Sequence, residues 1–85
     1  MIIDEVEALN LILKEYTQAR ANWPQFNSAH EGFAVLLEEV DELKAHVWAK
    51  QKNRDLAAMR KEAIQVAAMA MRFAVEVCDE TNGRK

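Results

Sequence analysis

Apolar residues recur at helical spacing in three separate stretches of this chain. In the first, Ile2, Val6, Leu9, Leu13 and Tyr16 share one side, and Asp4, Glu5 and Glu7 stand near its start, where acids suit the helix dipole. This predicts an amphipathic helix over about 2–20, with nothing in it that looks chemical. The segment Asn22-Trp23-Pro24-Gln25-Phe26-Asn27 breaks the pattern, because Pro24 disfavours helix at Trp23. Ser28 and Glu31 then fit a capping box. They open a second helix over about 29–50, with Phe33, Leu36, Leu37, Val40, Leu43 and Val47 on one face. Gln51-Lys52-Asn53 supplies a polar turn, and Arg54-Asp55 opens a third helix that runs to about residue 80. Thr81 to Lys85 reads as a helix stop and a loose tail.

The third helix is the unusual one. From Ala63 to Cys78 its only polar residues are Gln65, Arg72 and Glu76. Together with Glu62 they occupy an arc of roughly 80° on a helical wheel. A helix apolar almost all round is expected to be buried, and three helices in a short chain can hardly cover it. Packing against a second copy is therefore expected, with the alanines and methionines permitting close contact. The predicted fold is all-α: one domain over 1–85, a three-helix protomer assembling into a helical-bundle oligomer.

Length and charge narrow the reading. At 85 residues the chain lies near the lower limit for a self-sufficient core, and Cys78 has no second cysteine with which to form a bridge. The acidic start, Met-Ile-Ile-Asp-Glu, predicts no leader peptide, and the longest apolar run, Val66 to Met71, is too short to span a bilayer. A soluble, cytoplasmic protein with no membrane contact is expected. The net charge of −3 argues against a nucleic-acid partner. Lys50, Lys52, Arg54, Arg60 and Lys61 nevertheless cluster with only Asp55 opposing them, which suits a phosphate ligand or a solvated turn.

The candidate chemistry centres on Glu38-Glu39-Val40-Asp41-Glu42. Glu39 and Glu42 border the apolar face of the second helix, where carboxylates are costly unless something positive compensates them. Glu62 and Gln65 have the same three-residue spacing on the third helix. If the two helices pack antiparallel, three carboxylates and an amide carbonyl meet in a hard oxygen cage, suited to Mg²⁺ or Mn²⁺. A solvated acidic face remains the alternative. Trp23 and Phe26 either stack on a nucleobase or close the end of a small core. His46 shares the edge of Glu39 and Glu42 and reads best as a solvated side chain, while Trp48 could pack or shield a site.

Glu38-Glu39-Val40-Asp41-Glu42 followed by Glu62-Ala63-Ile64-Gln65 resembles the paired motifs Glu-Glu-x-x-Glu and Glu-x-x-Asp of the MazG-like, all-α nucleoside triphosphate pyrophosphohydrolases. The resemblance covers roughly Trp23 to Asp79 and is nearest to short members of the kind found in phages and mobile elements. It implies Mg²⁺-dependent hydrolysis of a (deoxy)nucleoside triphosphate to the monophosphate and pyrophosphate, by a dimer or tetramer whose sites are often completed by a neighbouring subunit. It also implies that Glu39, Glu42 and Glu62 hold the metal, with Gln65 standing where the family has Asp and so removing one negative charge. In the mechanism expected on that basis, Glu38 orients or deprotonates the attacking water. Lys50, Lys52, Arg54, Lys61 or Arg72 offsets charge on the leaving pyrophosphate, and Trp23 and Phe26 hold the base. A catalytically weak nucleotide-binding module and a purely structural oligomer are the rival expectations.

Overall fold

A computed structural model of the chain describes residues 1–79. The expected stop and tail at Thr81 to Lys85 lie outside the described residues. The protein is all-helical, with α1 at Glu5–Asn22, α2 at Ala29–Val47 and α3 at Leu56–Arg72, and no strand among the described residues. A short 3₁₀ turn, Gln51–Asn53, links α2 to α3, and a π-helical turn, Phe73–Val77, continues α3. No helix among the described residues is long and apolar enough to cross a membrane.

Each helix begins where a side chain takes up its first free N–H groups. Asp4 accepts from the Glu7 N–H at 2.8 Å, so α1 starts after Asp4 and leaves Ile2 outside it. Ser28 accepts from the Glu31 N–H at 3.0 Å. Glu31 reaches back one residue further than a capping box requires, to the backbone N–H of Asn27 at 3.0 Å and its side-chain amide at 3.1 Å. Asp55 caps α3 through the Ala58 N–H at 3.1 Å. Helix α2 ends three residues earlier than expected, where Arg54 donates to the freed Val47 carbonyl at 2.8 Å.

Helix α3 is central: α1 and α2 each pack against it and not against each other. The two outer helices therefore form the walls of a cleft whose floor is α3. Close approach of α2 depends on Gly32, since a Cβ there would stand 2.9 Å from the Phe73 ring and 3.1 Å from that of Phe26.

The inward face of α3 is where its polar arc points. Arg72 and Glu76 are buried, beside the only buried apolar side chains among the described residues, Phe26, Ala68 and Met69. Every exposed residue from Ala63 to Cys78 is apolar: Ala63, Ala70, Met71, Ala74, Val75 and Cys78. The outer helices depart from expectation in the same sense. The apolar face of α2 divides, with Leu36, Leu43 and Val47 half-buried and Phe33, Leu37 and Val40 exposed. On α1 the expected stripe of Val6, Leu9 and Leu13 is exposed; Ala8, Ile12, Tyr16 and Ala19 are the more covered. A single three-helix chain has too little interior to cover all of these positions.

Candidate metal centre

Glu39 and Glu42 lie one turn apart on α2, and Glu62 faces them from α3. One carboxylate oxygen from each lies within 4.8 Å of the other two. Glu39 and Glu62 are half-buried and Glu42 is exposed, so the cluster sits at the rim of the helix pair. Carboxylates this close repel one another and prefer to keep a proton. Burial, with the charges of Glu42 and Glu62 next, pushes the Glu39 carboxyl up to about 6; a hydrogen bond shared with Glu42 and the charge of Glu38 add to the rise. Glu62 is also raised, first by burial and then by a hydrogen bond with Glu42 and its charge, while His46 and Lys61 pull the other way. Its Oε2 is buried without any hydrogen-bond partner. An orphaned anionic oxygen beside two further carboxylates is a set of hard donors that fits a divalent cation such as Mg²⁺ or Mn²⁺.

The remaining expected residues divide into those that face this cluster and those that do not. Glu38 is exposed and lines the cleft with Glu39 and Gln65. Gln65, expected among the metal ligands, instead turns its amide N–H to Glu15 of α1 at 2.8 Å. Lys61 is exposed next to Glu62 and acts on its charge. Lys50, Lys52 and Arg54 are exposed around the turn between α2 and α3, and none of them lines the cleft. Arg54 has already given one donor to the end of α2. His46 is half-buried and close enough to Glu62 to act on it, so a freely solvated side chain is not what the structure places there.

Arg72, expected to offset phosphate charge, lines the cleft from its floor. It is 3% exposed, and its Nε and Nη2 donate to the two oxygens of Glu76 at 2.9 and 3.2 Å. Nη2 also donates to the Pro24 carbonyl at 3.0 Å. Most of its donors are thus committed inside the protein, because they compensate a second buried charge. Burial by itself would raise the Glu76 carboxyl, but the Arg72 hydrogen bond and the Phe26 N–H outweigh it and hold the group below the usual carboxylate range. Phe26, expected beside the base, also lines the cleft. Its ring is 3% exposed, with the Arg72 guanidinium 4.2 Å from its centroid, so it closes the core rather than offering a free face to a base. Trp23 is 67% exposed and lines the cleft. Trp48 is exposed and lies away from this cleft's lining.

The cleft has a volume of about 600 Å³, within the range of small-molecule sites. The acids Glu38 and Glu39 and the indole of Trp23 all line it, and Glu15, Gln18 and Asn22 of α1 line it with them. Sequence reading gave α1 no chemical part. The signal was present in the spacing of Glu15, Gln18 and Asn22, at i, i+3 and i+7, which puts three polar residues on one helical face. Chemically, the arrangement can hold a cation at its acidic rim and accommodate a planar group beside an exposed indole. Compared with known proteins, the chain matches no family model, no curated protein and no solved structure.

Proposed function

We propose that this chain hydrolyses a (deoxy)nucleoside triphosphate to the monophosphate and pyrophosphate in a Mg²⁺-dependent reaction, Mn²⁺ being an alternative, as an assembly of identical chains. The observation that carries this reading is the convergence of Glu39, Glu42 and Glu62 from two helices, one of them with a buried carboxylate oxygen that has no protein partner. The resemblance of the same residues to the MazG-like motifs supports it. When bound there, the cation offsets phosphate charge and aligns the triphosphate. Glu38, exposed on the cleft wall, takes a proton from the water that attacks the α-phosphorus. Lys61 adds positive charge near Glu62, and Trp23 offers its face to the base. The outward apolar surface of α3 and the exposed Phe33, Leu37 and Val40 of α2 are covered by a second copy. With nucleoside triphosphate as substrate, the protein belongs in the cytoplasm.

The test is pyrophosphate release from a panel of ribo- and deoxynucleoside triphosphates with Mg²⁺, comparing the wild type with Glu39→Gln. Release by the wild type and its loss in the variant are expected; equal activity in both removes the assignment. The Gln65 to Glu15 contact favours a second reading, because the neutral side chain at this position is engaged with α1. On that reading the chain binds nucleotide with Mg²⁺ but turns it over poorly, and calorimetry shows tight binding without product.

A further inference from the structure

The two charged residues buried most deeply among the described residues bind each other and also grip one loop. A buried ion pair is seldom a net source of stability, since apolar residues of similar size often do as well. What Arg72 and Glu76 provide instead is direction. Glu76 accepts from the Phe26 N–H at 2.9 Å, and Arg72 donates to the Pro24 carbonyl at 3.0 Å. The flanks of the same loop are tied as well, with the Trp23 N–H on the Ala19 carbonyl at 2.9 Å and the Asn27 N–H on Glu31 at 3.0 Å. Pro24 fixes a further backbone angle. Loops are ordinarily the more mobile parts of a fold. Here the backbone from Trp23 to Asn27 is held at four points while the Trp23 indole stands 67% exposed at the cleft. A rigidly mounted aromatic surface avoids much of the ordering cost of binding.

We propose that Arg72 and Glu76 are positioning residues that hold the 23–27 loop so that Trp23 forms a preorganised stacking surface for the planar base of a nucleotide in the cleft. The nucleobase part rests on the nucleotide reading above; the mounting of Trp23 does not. The pair acts through the backbone of Pro24 and Phe26; Arg72 lines the cleft, but its Nε and Nη2 are held by Glu76 and the Pro24 carbonyl.

The experiment uses the full chain with Trp48→Phe, which leaves Trp23 as the sole tryptophan. Glu76→Gln is compared with Arg72→Met/Glu76→Leu, the second variant filling the site with apolar side chains in case the first fails to fold. Time-resolved anisotropy without ligand reads the mounting of the indole, and its fast, local component is expected to at least double in the variants. Binding of α,β-imido deoxynucleoside triphosphates is then compared with binding of inorganic tripolyphosphate, both with Mg²⁺. Nucleotide affinity is expected to fall roughly tenfold, in line with the loss of one base–aromatic stack. Tripolyphosphate affinity is expected to stay within about twofold, since it has no base to stack. Unchanged anisotropy overturns the proposal, as does parallel weakening of both probes or a wild type that binds the two equally well. A wild type that binds neither probe defeats the nucleotide reading and with it the nucleobase part, while the anisotropy still decides whether the pair mounts the indole.

Discussion

Exchanging Glu39 for glutamine is expected to stabilise the metal-free protein and to remove its response to Mg²⁺. The Glu39 carboxyl rises from an ordinary value of 4.5 to about 6, chiefly through burial and then through the charges of Glu42 and Glu62. At about 1.36 kcal/mol per pH unit, holding it ionised in the folded state costs roughly 2 kcal/mol. The side chain is partly open to water, and screening brings that to about 1 kcal/mol. Glutamine keeps the size and a hydrogen-bonding group next to Glu42 but carries no charge. A domain of this size then gains roughly 4–8 °C in Tm at neutral pH with EDTA present. In the wild type, excess Mg²⁺ adds stability by linkage, about 2.7 kcal/mol at one hundred times Kd, and the variant forfeits most of that gain. Thermal unfolding followed by circular dichroism, at one protein concentration, should show the two proteins exchanging rank when Mg²⁺ replaces EDTA. A variant that is less stable without metal and equally stabilised by Mg²⁺ would refute the reasoning, and the three glutamates would then be a solvated face.

Stability should depend on pH in a definite direction. Glu39 and Glu62 are raised in the folded state, so the contribution of each is full below its unfolded value and is lost as the pH rises through the folded one, about 6 for Glu39. Glu76 is lowered, so its contribution is present above its unfolded value and is lost as the pH falls through its folded one. The urea midpoint of the metal-free protein should therefore decline between about pH 4.5 and 6, with Glu39→Gln flattening that decline. Gly32→Ala should destabilise: overpacking against Phe73 and Phe26 costs about 1–3 kcal/mol, which exceeds the roughly 1 kcal/mol that alanine gains in a helix. An unchanged or raised urea midpoint would show that the rings yield freely. Val75→Glu puts a charge on the outward face of α3 and should shift sedimentation from an oligomer towards the single chain. A wild type that already sediments as one chain would exclude the assembly.

Much of the fold could be read locally. Asp4, Ser28 and Asp55 each cap a helix within three residues of themselves, so the number and order of helices followed from nearby sequence. The cluster of three glutamates was legible for a related reason. Glu39 and Glu42 share a helical edge, and Glu62 stands on the polar arc of a helix with few other polar residues, so few arrangements separate them. What could not be read is set by contacts between residues far apart in the chain. Arg72 meets Pro24 across 48 residues, Glu76 meets Phe26 across 50, and Gln65 meets Glu15 across 50. No periodicity announces such partners, so an arginine on a polar arc looked available to phosphate when it was already committed. The rotation of α1 was lost for another reason: its apolar residues are scattered widely enough that more than one face resembles an inner one.

The turn from Phe73 to Val77 has a consequence for change by insertion or deletion. There the Cys78 N–H returns to the Phe73 carbonyl, five residues back, at 3.3 Å, so the helix holds more chain per revolution than its neighbours. An α-turn would carry a residue four places on about 40° past its starting direction. The wider coil holds an extra residue in that revolution and keeps Glu76 within reach of Arg72, whose Nε donates to it at 2.9 Å. Trimming one residue from this coil would rewind it to α geometry and leave what lies beyond facing nearly the same way, because five residues of the wide coil and four of an α-helix sweep similar angles. At this point in the chain, a shortening that spares Arg72 and Glu76 should do less harm than the same loss elsewhere in α3.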